Sequence, residues 1–471
     1  LRDEQDGELG LMSDRDGALD ASHAVTPALL PRVTTVLLIA AALLTALAIG
    51  FVTWRLGQPS VIRLLHWWLV AVQGDDSWKP MRAAYAWFTA GHATTIYQHV
   101  FFEQHVKFQY PPSSLLIFAV PDALGLTVSN KFLNVIGWMS VAVVAAATGI
   151  LAWWLTRDWP ELGLRLAVSS LAAIVGLTFY PIQWAYTEGQ IQLWFSALFA
   201  IAALCWLAGY KRTAGALIGV ICFAKPQFLL FLVWALWRRQ YRFAAAMGVV
   251  LALTLAASLM AFGWANHVDY LAALSYMSHH GETWIRNYSV NGVMNRLVGN
   301  SYFPEFQPNA YPPYHPLVYW TTVVTSAGLI GLALFRRRDR TAGLMDFFIV
   351  ALSLTMASPI AWEHHYGILP PVFIALALTL PRAPRRSWIA AAALFLAFVA
   401  CDVFLPPIAA LATGPLSLLQ STVFFGAVTV LVLLYRYGDL FSLPLKPHKY
   451  ALAVEPIAEQ PAHRSVRESA K

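Results

Sequence analysis

The chain has 471 residues, 58% of them hydrophobic and only 12% charged, with a formal net charge of +7. A soluble core cannot hide that much apolar surface, so lipid must be the solvent for much of the chain. The excess positive charge does not point to a nucleic-acid partner, because the basic residues stand in short clusters at the ends of apolar segments ("RRQYR", "FRRRDR", "PRAPRR"), as they do in the cytoplasmic loops of membrane proteins.

In chain order, residues 1–31 are acidic, rich in Asp and Gly and without hydrophobic period, which predicts a disordered cytoplasmic tail. The stretch does not read as a signal peptide. The first residue is Leu, and Met12 is a candidate start. Apolar runs of spanning length follow at 33–54, 132–155, 164–182, 191–210 and 243–264, then near 316–335, 342–357, 366–380, 388–404 and 418–434. Two segments are ambiguous. Residues 113–127 are short for a span and broken by Pro121 and Asp122, while 213–237 carry "FAKPQF" at their centre and basic residues at both ends. With every basic cluster on the inner face, the parity closes if 113–127 dips in and returns and "FAKPQF" is the tip of a helical hairpin. The expected fold is an all-α polytopic membrane protein with a transmembrane domain over 32–435, roughly 10–13 helices of about 20 residues each, and a cytoplasmic tail over 436–471.

Four polar stretches then face outward: the first loop at 55–112, the "YTEGQ" turn, the loop at 265–315, and "SPIAWEHH". They gather Asp75, Asp76, His92, His99 and His105, then Glu188 and Gln190, then His279, His280, Arg286, Asn287 and Arg296, and finally Trp362, Glu363, His364 and His365. Taken singly, an acid in a first outer loop is an ordinary solvated group. Adjacent residues such as His364 and His365 point about 100° apart on a helix, so shared metal ligation is disfavoured against structural hydrogen bonding. Cys205, Cys222 and Cys401 lie inside apolar runs at no zinc-ligand or CxxC spacing, and no disulfide or metal framework follows from them. Lys225 stands apart from these. An ammonium inside an apolar segment costs about 2.5–3.5 kcal/mol on insertion scales and normally lines a cavity with a partner. From Ala214 to Trp237 there is no Asp or Glu, which leaves an anionic ligand or a distant acid such as Glu188 to meet it.

Six stretches, "DSWKPMRAAYAWFTAGHATTIYQ", "FQYPPSSLLIFAVP", "TEGQIQLW", "FAKPQFLLF", "NYSVNGVMNRLV" and "SPIAWEHHYGILPP", resemble in order and spacing the motifs of glycosyltransferase family 87. The resemblance covers about residues 71–371 and implies a polytopic GT-C type bundle with its active site in extracytoplasmic loops. It implies inverting transfer of a sugar, mannose first among candidates, from a polyprenyl-phosphate donor to a lipid or glycan acceptor at a bacterial cell membrane, with no cofactor or metal. The base that best matches is Asp76, with Asp75 the alternative. Lys225, Arg286 and Arg296 are then the expected phosphate ligands, and Glu188, Gln190, Asn287, Trp362, His364 and His365 the expected substrate contacts. A transporter or flippase of lipid-linked sugars would need the same buried Lys and broken helices. Against it stand the lack of an internal repeat and the gathering of polar residues on one face.

Overall fold

The structure is a computed structural model that describes residues 26–300, 306–335, 343–382, 387–404, 408 and 414–439. The expected tails at 1–31 and 436–471 fall mostly outside these residues, as do most of the "FRRRDR" and "PRAPRR" clusters. Among the described residues every regular element is helical, and strand-type pairing is confined to one bridge between Asn287 and Trp362. Lipid offers no partner to a backbone amide, so apolar runs satisfy their own hydrogen bonds by coiling.

Among the described residues, five helices are long and apolar enough to cross a membrane: Pro31–Arg55, Asn130–Leu155, Leu162–Glu188, Tyr241–His280 and Pro316–Phe335. Gly414–Gln420 and Thr422–Tyr437, bent by 62°, form a sixth candidate as a pair. Among the described residues, shorter apolar helices of 10–17 residues pack with them, including Pro112–Ala123, Gln192–Leu207, Pro226–Trp237, Leu344–Met356 and Trp388–Asp402. The protein is an all-α polytopic membrane protein.

Leu344–Met356 and Leu369–Thr379 are buried at every position, as a helix apolar on all sides must be. They form the axis of the bundle. Phe347 of the first packs its ring 5.1 Å from Phe231, 5.3 Å from Trp206 and 5.5 Å from Phe199. Elsewhere small residues let backbones close in. A Cβ on Gly176 would stand 2.9 Å from Ala145 Cα, which fixes Leu162–Thr178 against Asn130–Leu155.

The ambiguous segments are interrupted where proline demands it. Lys211–Ile221 ends, Lys225 takes a non-helical backbone (φ −126°, ψ 77°), and a 3₁₀ turn at Pro226–Leu229 precedes Leu230–Trp237. Pro226 has no N–H to continue a helix and bars its predecessor from the helical region. Pro112–Leu115 is likewise a 3₁₀ turn before the short helix Leu116–Ala123. Tyr241–His280 runs for 40 residues, about 60 Å at 1.5 Å per residue. It is broken at Gly263 (φ 71°, ψ 165°), a conformation open essentially to glycine alone.

Candidate active site

The acidic pair sits on a loop stitched to the "TEGQ" turn by its backbone. Gly74 N donates to Thr187 O at 2.6 Å, Asp76 N to Glu188 O at 2.9 Å and Ser77 N to Gly189 O at 3.4 Å. This approach needs glycine on the far side. Gly189 has φ 70°, and a Cβ there would lie 2.1 Å from Gly74 O. A chain of side chains then aims Asp76. The Tyr110 hydroxyl lies 2.9 Å from Ser77 Oγ, Ser77 Oγ donates to Gln190 Oε1 at 2.8 Å, and Gln190 Nε2 donates to Asp76 Oδ2. Ile191 N also donates to Ser77 Oγ, at 3.1 Å. Gln190, expected to touch substrate, is buried and holds the carboxylate instead.

Asp76 opens onto a recess but is crowded by protein, and its pKa is pushed up to about 6, first by burial and then by the charge of Asp75 beside it. The Gln190 hydrogen bond and the nearby Lys107 ammonium hold it from rising further. Lys107 was not singled out in the sequence. It forms a 2.6 Å ion pair with Glu282, 175 positions away, over the rings of Phe306 and Tyr311. Burial draws its pKa down, against the pull of Glu282 and Asp76. No local pattern links residues so distant along the chain.

The third and fourth outer stretches are clamped together. Asn287 Nδ2 donates to Glu282 O at 2.8 Å and Pro359 O at 3.2 Å, and its Oδ1 accepts from Ala361 N at 2.9 Å. Tyr288 N donates to Ala361 O at 2.8 Å. Arg286 donates to Glu363 in a buried ion pair and stacks 3.7 Å from the Trp184 ring. Arg296 donates to the carbonyls of Trp284 at 3.2 Å and Asn287 at 3.0 Å and to Ser421 Oγ at 2.7 Å. Asn287, Arg286 and Arg296 thus brace the loops that frame the site, and none of the three lines either of its two cavities. The sequence offers an arginine's charge but not its partner: the expectation that Arg286 and Arg296 meet the donor phosphate meets side chains engaged with Glu363, two backbone carbonyls and Ser421.

The first cavity, about 410 Å³, is lined by Asp75, Asp76, Lys79, Lys107 and Glu188 among others. The second, about 390 Å³, is mostly apolar, with Leu230, Leu274, Met277, Ile330 and Leu354 in its wall. Lys225, His364 and His365 supply its cationic and titratable groups. Lys225 is buried, and among the described residues its ammonium has neither hydrogen bond nor ion pair, while its backbone N donates to Ile221 O at 3.0 Å. The pair with Glu188 weighed from the sequence does not form, since Glu188 lines the other cavity. His364 and His365 therefore accompany Lys225 where Arg286 and Arg296 were expected. Of the remaining histidines, His92 and His99 stack on either side of Trp87 at 3.6 and 3.4 Å, His279 stacks on Tyr319 at 4.6 Å, and His280 Nδ1 lies 2.8 Å from Pro312 O.

A carboxylate with a pKa near 6 beside one cavity, and an unpaired ammonium beside an adjoining apolar one, can respectively take a proton and receive an anion. Comparison with known proteins agrees with the sequence motifs. The family model described as glycosyltransferase family 87 matches residues 108–359, more than half of the chain, and the chain belongs to that family. The match takes in Lys225 and, of the first cavity's lining, Gln109, Tyr110 and Glu188, and leaves Asp75, Asp76, Lys107 and Trp362 outside it. Among curated proteins, the chain is similar to the polyprenol-phosphate-mannose-dependent alpha-(1-2)-phosphatidylinositol pentamannoside mannosyltransferase of Mycobacterium tuberculosis (strain CDC 1551 / Oshkosh), with 24% identity over 293 residues. The similar region spans 60% of this chain and 62% of the relative, less than two thirds of its length. No solved structure matches the chain.

Proposed function

We propose that the protein is a GT-C type glycosyltransferase that moves a sugar, mannose first among candidates, from a polyprenyl phosphate to a lipid or glycan acceptor, with inversion, on the extracytoplasmic face of a bacterial cytoplasmic membrane. The observation that carries this reading is the pair of adjoining cavities, one bearing Asp76 and the other apolar and bearing the unpaired Lys225. A polyprenyl phosphate needs both an apolar wall for its tail and a cation for its head.

In this mechanism Asp76 accepts the proton of the acceptor hydroxyl as that oxygen bonds to the anomeric carbon. The bond from that carbon to the phosphate oxygen breaks, and polyprenyl phosphate leaves with the electron pair. Lys225 faces the charge gathering on the phosphate, from a fixed position that needs no reorganisation. Gln190 and Ser77 keep Asp76 aimed, and Asp75 keeps its proton affinity high. Mannose is proposed from the name of the mycobacterial relative.

The test is to incubate the purified chain in detergent with polyprenyl-phosphate mannose, glucose and arabinose, together with lipid acceptors, and to follow release of polyprenyl phosphate. Release from at least one donor, abolished in Asp76→Asn, is the expected result. A chain that releases polyprenyl phosphate from none of them, while retaining its cooperative melting, overturns the proposal.

A further inference from the structure

The two cavities meet at Gln109, Tyr110 and Trp362, each of which lines both. Lys225 stands in the wall of one and Asp76 in the wall of the other. If the donor phosphate lies beside Lys225 and the acceptor hydroxyl beside Asp76, the ring between them has to occupy this neck. The anomeric carbon is bonded to the phosphate and attacked by the hydroxyl, so it belongs at the junction.

The neck residues differ in what they leave available. Trp362 is half-buried. Its ring packs edge-on against Trp284 at 6.4 Å and Phe306 at 6.3 Å, and its backbone is bridged to Asn287. The indole is therefore a fixed, flat apolar surface, of the kind that takes the C–H face of a sugar ring. Gln109 Nε2 donates to the Tyr311 hydroxyl at 2.9 Å, which commits one end of the amide and turns Oε1 away. That oxygen has no protein donor among the described residues and can accept from a hydroxyl. Tyr110 is spent on other work: its hydroxyl meets Ser77 at 2.9 Å, and its carbonyl accepts from Tyr97 Oη at 2.6 Å. It serves as a rigid wall.

We infer that Trp362 and Gln109 form the subsite for the transferred sugar, with Gln109 selecting the hydroxyl pattern that is accepted. This rests on the polyprenyl-phosphate donor reading above. A site that hydrogen-bonds a hydroxyl discriminates far more sharply than one that only contacts carbon, because an analogue without it leaves a polar group unpaired. The sugar preference of the enzyme then resides in the neck, away from both the base and the cation.

The experiment measures binding of sugar-free polyprenyl phosphate and of polyprenyl-phosphate mannose, glucose and arabinose to the full chain in detergent, for the wild type, Gln109→Leu, Trp362→Ala and Trp362→Phe. The wild type should bind one sugar-bearing lipid more tightly than the sugar-free one. Gln109→Leu and Trp362→Ala should each cut that preference roughly 5- to 10-fold, the scale of one hydrogen bond or one ring contact. Affinity for sugar-free polyprenyl phosphate should stay the same, and Trp362→Phe should keep part of the preference. If Trp362→Ala does not fold, Gln109→Leu decides alone. A preference unchanged in Gln109→Leu, an equal loss for sugar-free and sugar-bearing lipid, or a wild type that binds polyprenyl phosphate but prefers no sugar overturns the subsite. A wild type that binds none of these lipids overturns the donor reading itself.

Discussion

At the scale of single residues, Asp76 carries the sharpest expectations, because its proton affinity has named causes. Only the carboxylate can accept the acceptor's proton, so kcat/KM should fall as pH drops through about 6 and level off above it. Asp75→Asn removes a charge that raises this pKa and should move the midpoint to lower pH, while Gln190→Leu removes a hydrogen bond that lowers it and should move the midpoint up. Asp76→Asn should cost at least about 10²-fold, the low end for a lost general base. Profiles of the four proteins on one donor check all of this; an Asp75→Asn profile displaced upward would show that repulsion is not what tunes the group. Lys225 makes the complementary case. It has no partner among the described residues, so Lys225→Met should leave the melting temperature equal or higher, since an unpaired charge in apolar surroundings is a cost. Donor affinity should weaken by about 1.5–3 kcal/mol, as for a lost charged hydrogen bond. Lower melting with unchanged affinity would make Lys225 structural.

At the scale of elements, the active site is an agreement between loops, and glycine makes it possible. Gly189 and Gly209 both sit at positive φ, 70° and 85°, at the ends of helices, yet a Cβ on Gly209 meets nothing within 4 Å whereas one on Gly189 meets Gly74 O at 2.1 Å. Alanine at either position pays a left-handed backbone cost of about 1–2 kcal/mol. Only Gly189→Ala should also push the Asp76 loop away from its turn, and a displacement near 1 Å is enough to cost about 10²-fold in rate. Melting temperature and turnover measured on both variants separate the effects: some destabilisation in both, larger in Gly189→Ala, with activity lost only in Gly189→Ala. Equal activity in the two would mean that the stitched loops do not position the carboxylate. The break at Lys225 was legible, because Pro226 acts on its immediate neighbour. The Arg286–Glu363 and Lys107–Glu282 pairs were not, because hydrophobic periodicity carries no information about which distant side chains meet.

At the scale of the whole molecule, the class of fold could be read almost entirely from apolar runs, since lipid acts on each segment separately: 316–335 matches its helix at both ends and 132–155 starts two residues late. Lengths were less legible, because short helices such as Leu344–Met356 depend on being enclosed by others. Sidedness is testable directly. Single cysteines near Asp76 and His280 should react with an impermeant reagent added from outside, and those near Arg157 and Arg239 should not, since basic clusters stay inside; the reverse pattern would turn the proposed orientation over. One further feature bears on the molecule as a whole. Tyr241–His280 bends at Gly263, and the half beyond that residue contributes Tyr270, Leu274 and Met277 to the apolar cavity. The half before it has 22 residues, about 33 Å of helix and enough to cross the hydrocarbon layer. One continuous stretch of chain therefore leads from the lipid phase to the chamber, and its change of direction is set by a single pair of dihedral angles. The chamber's bore and the slope of the approach cannot vary independently: any sequence drift that straightens this elbow reshapes the doorway and the room together.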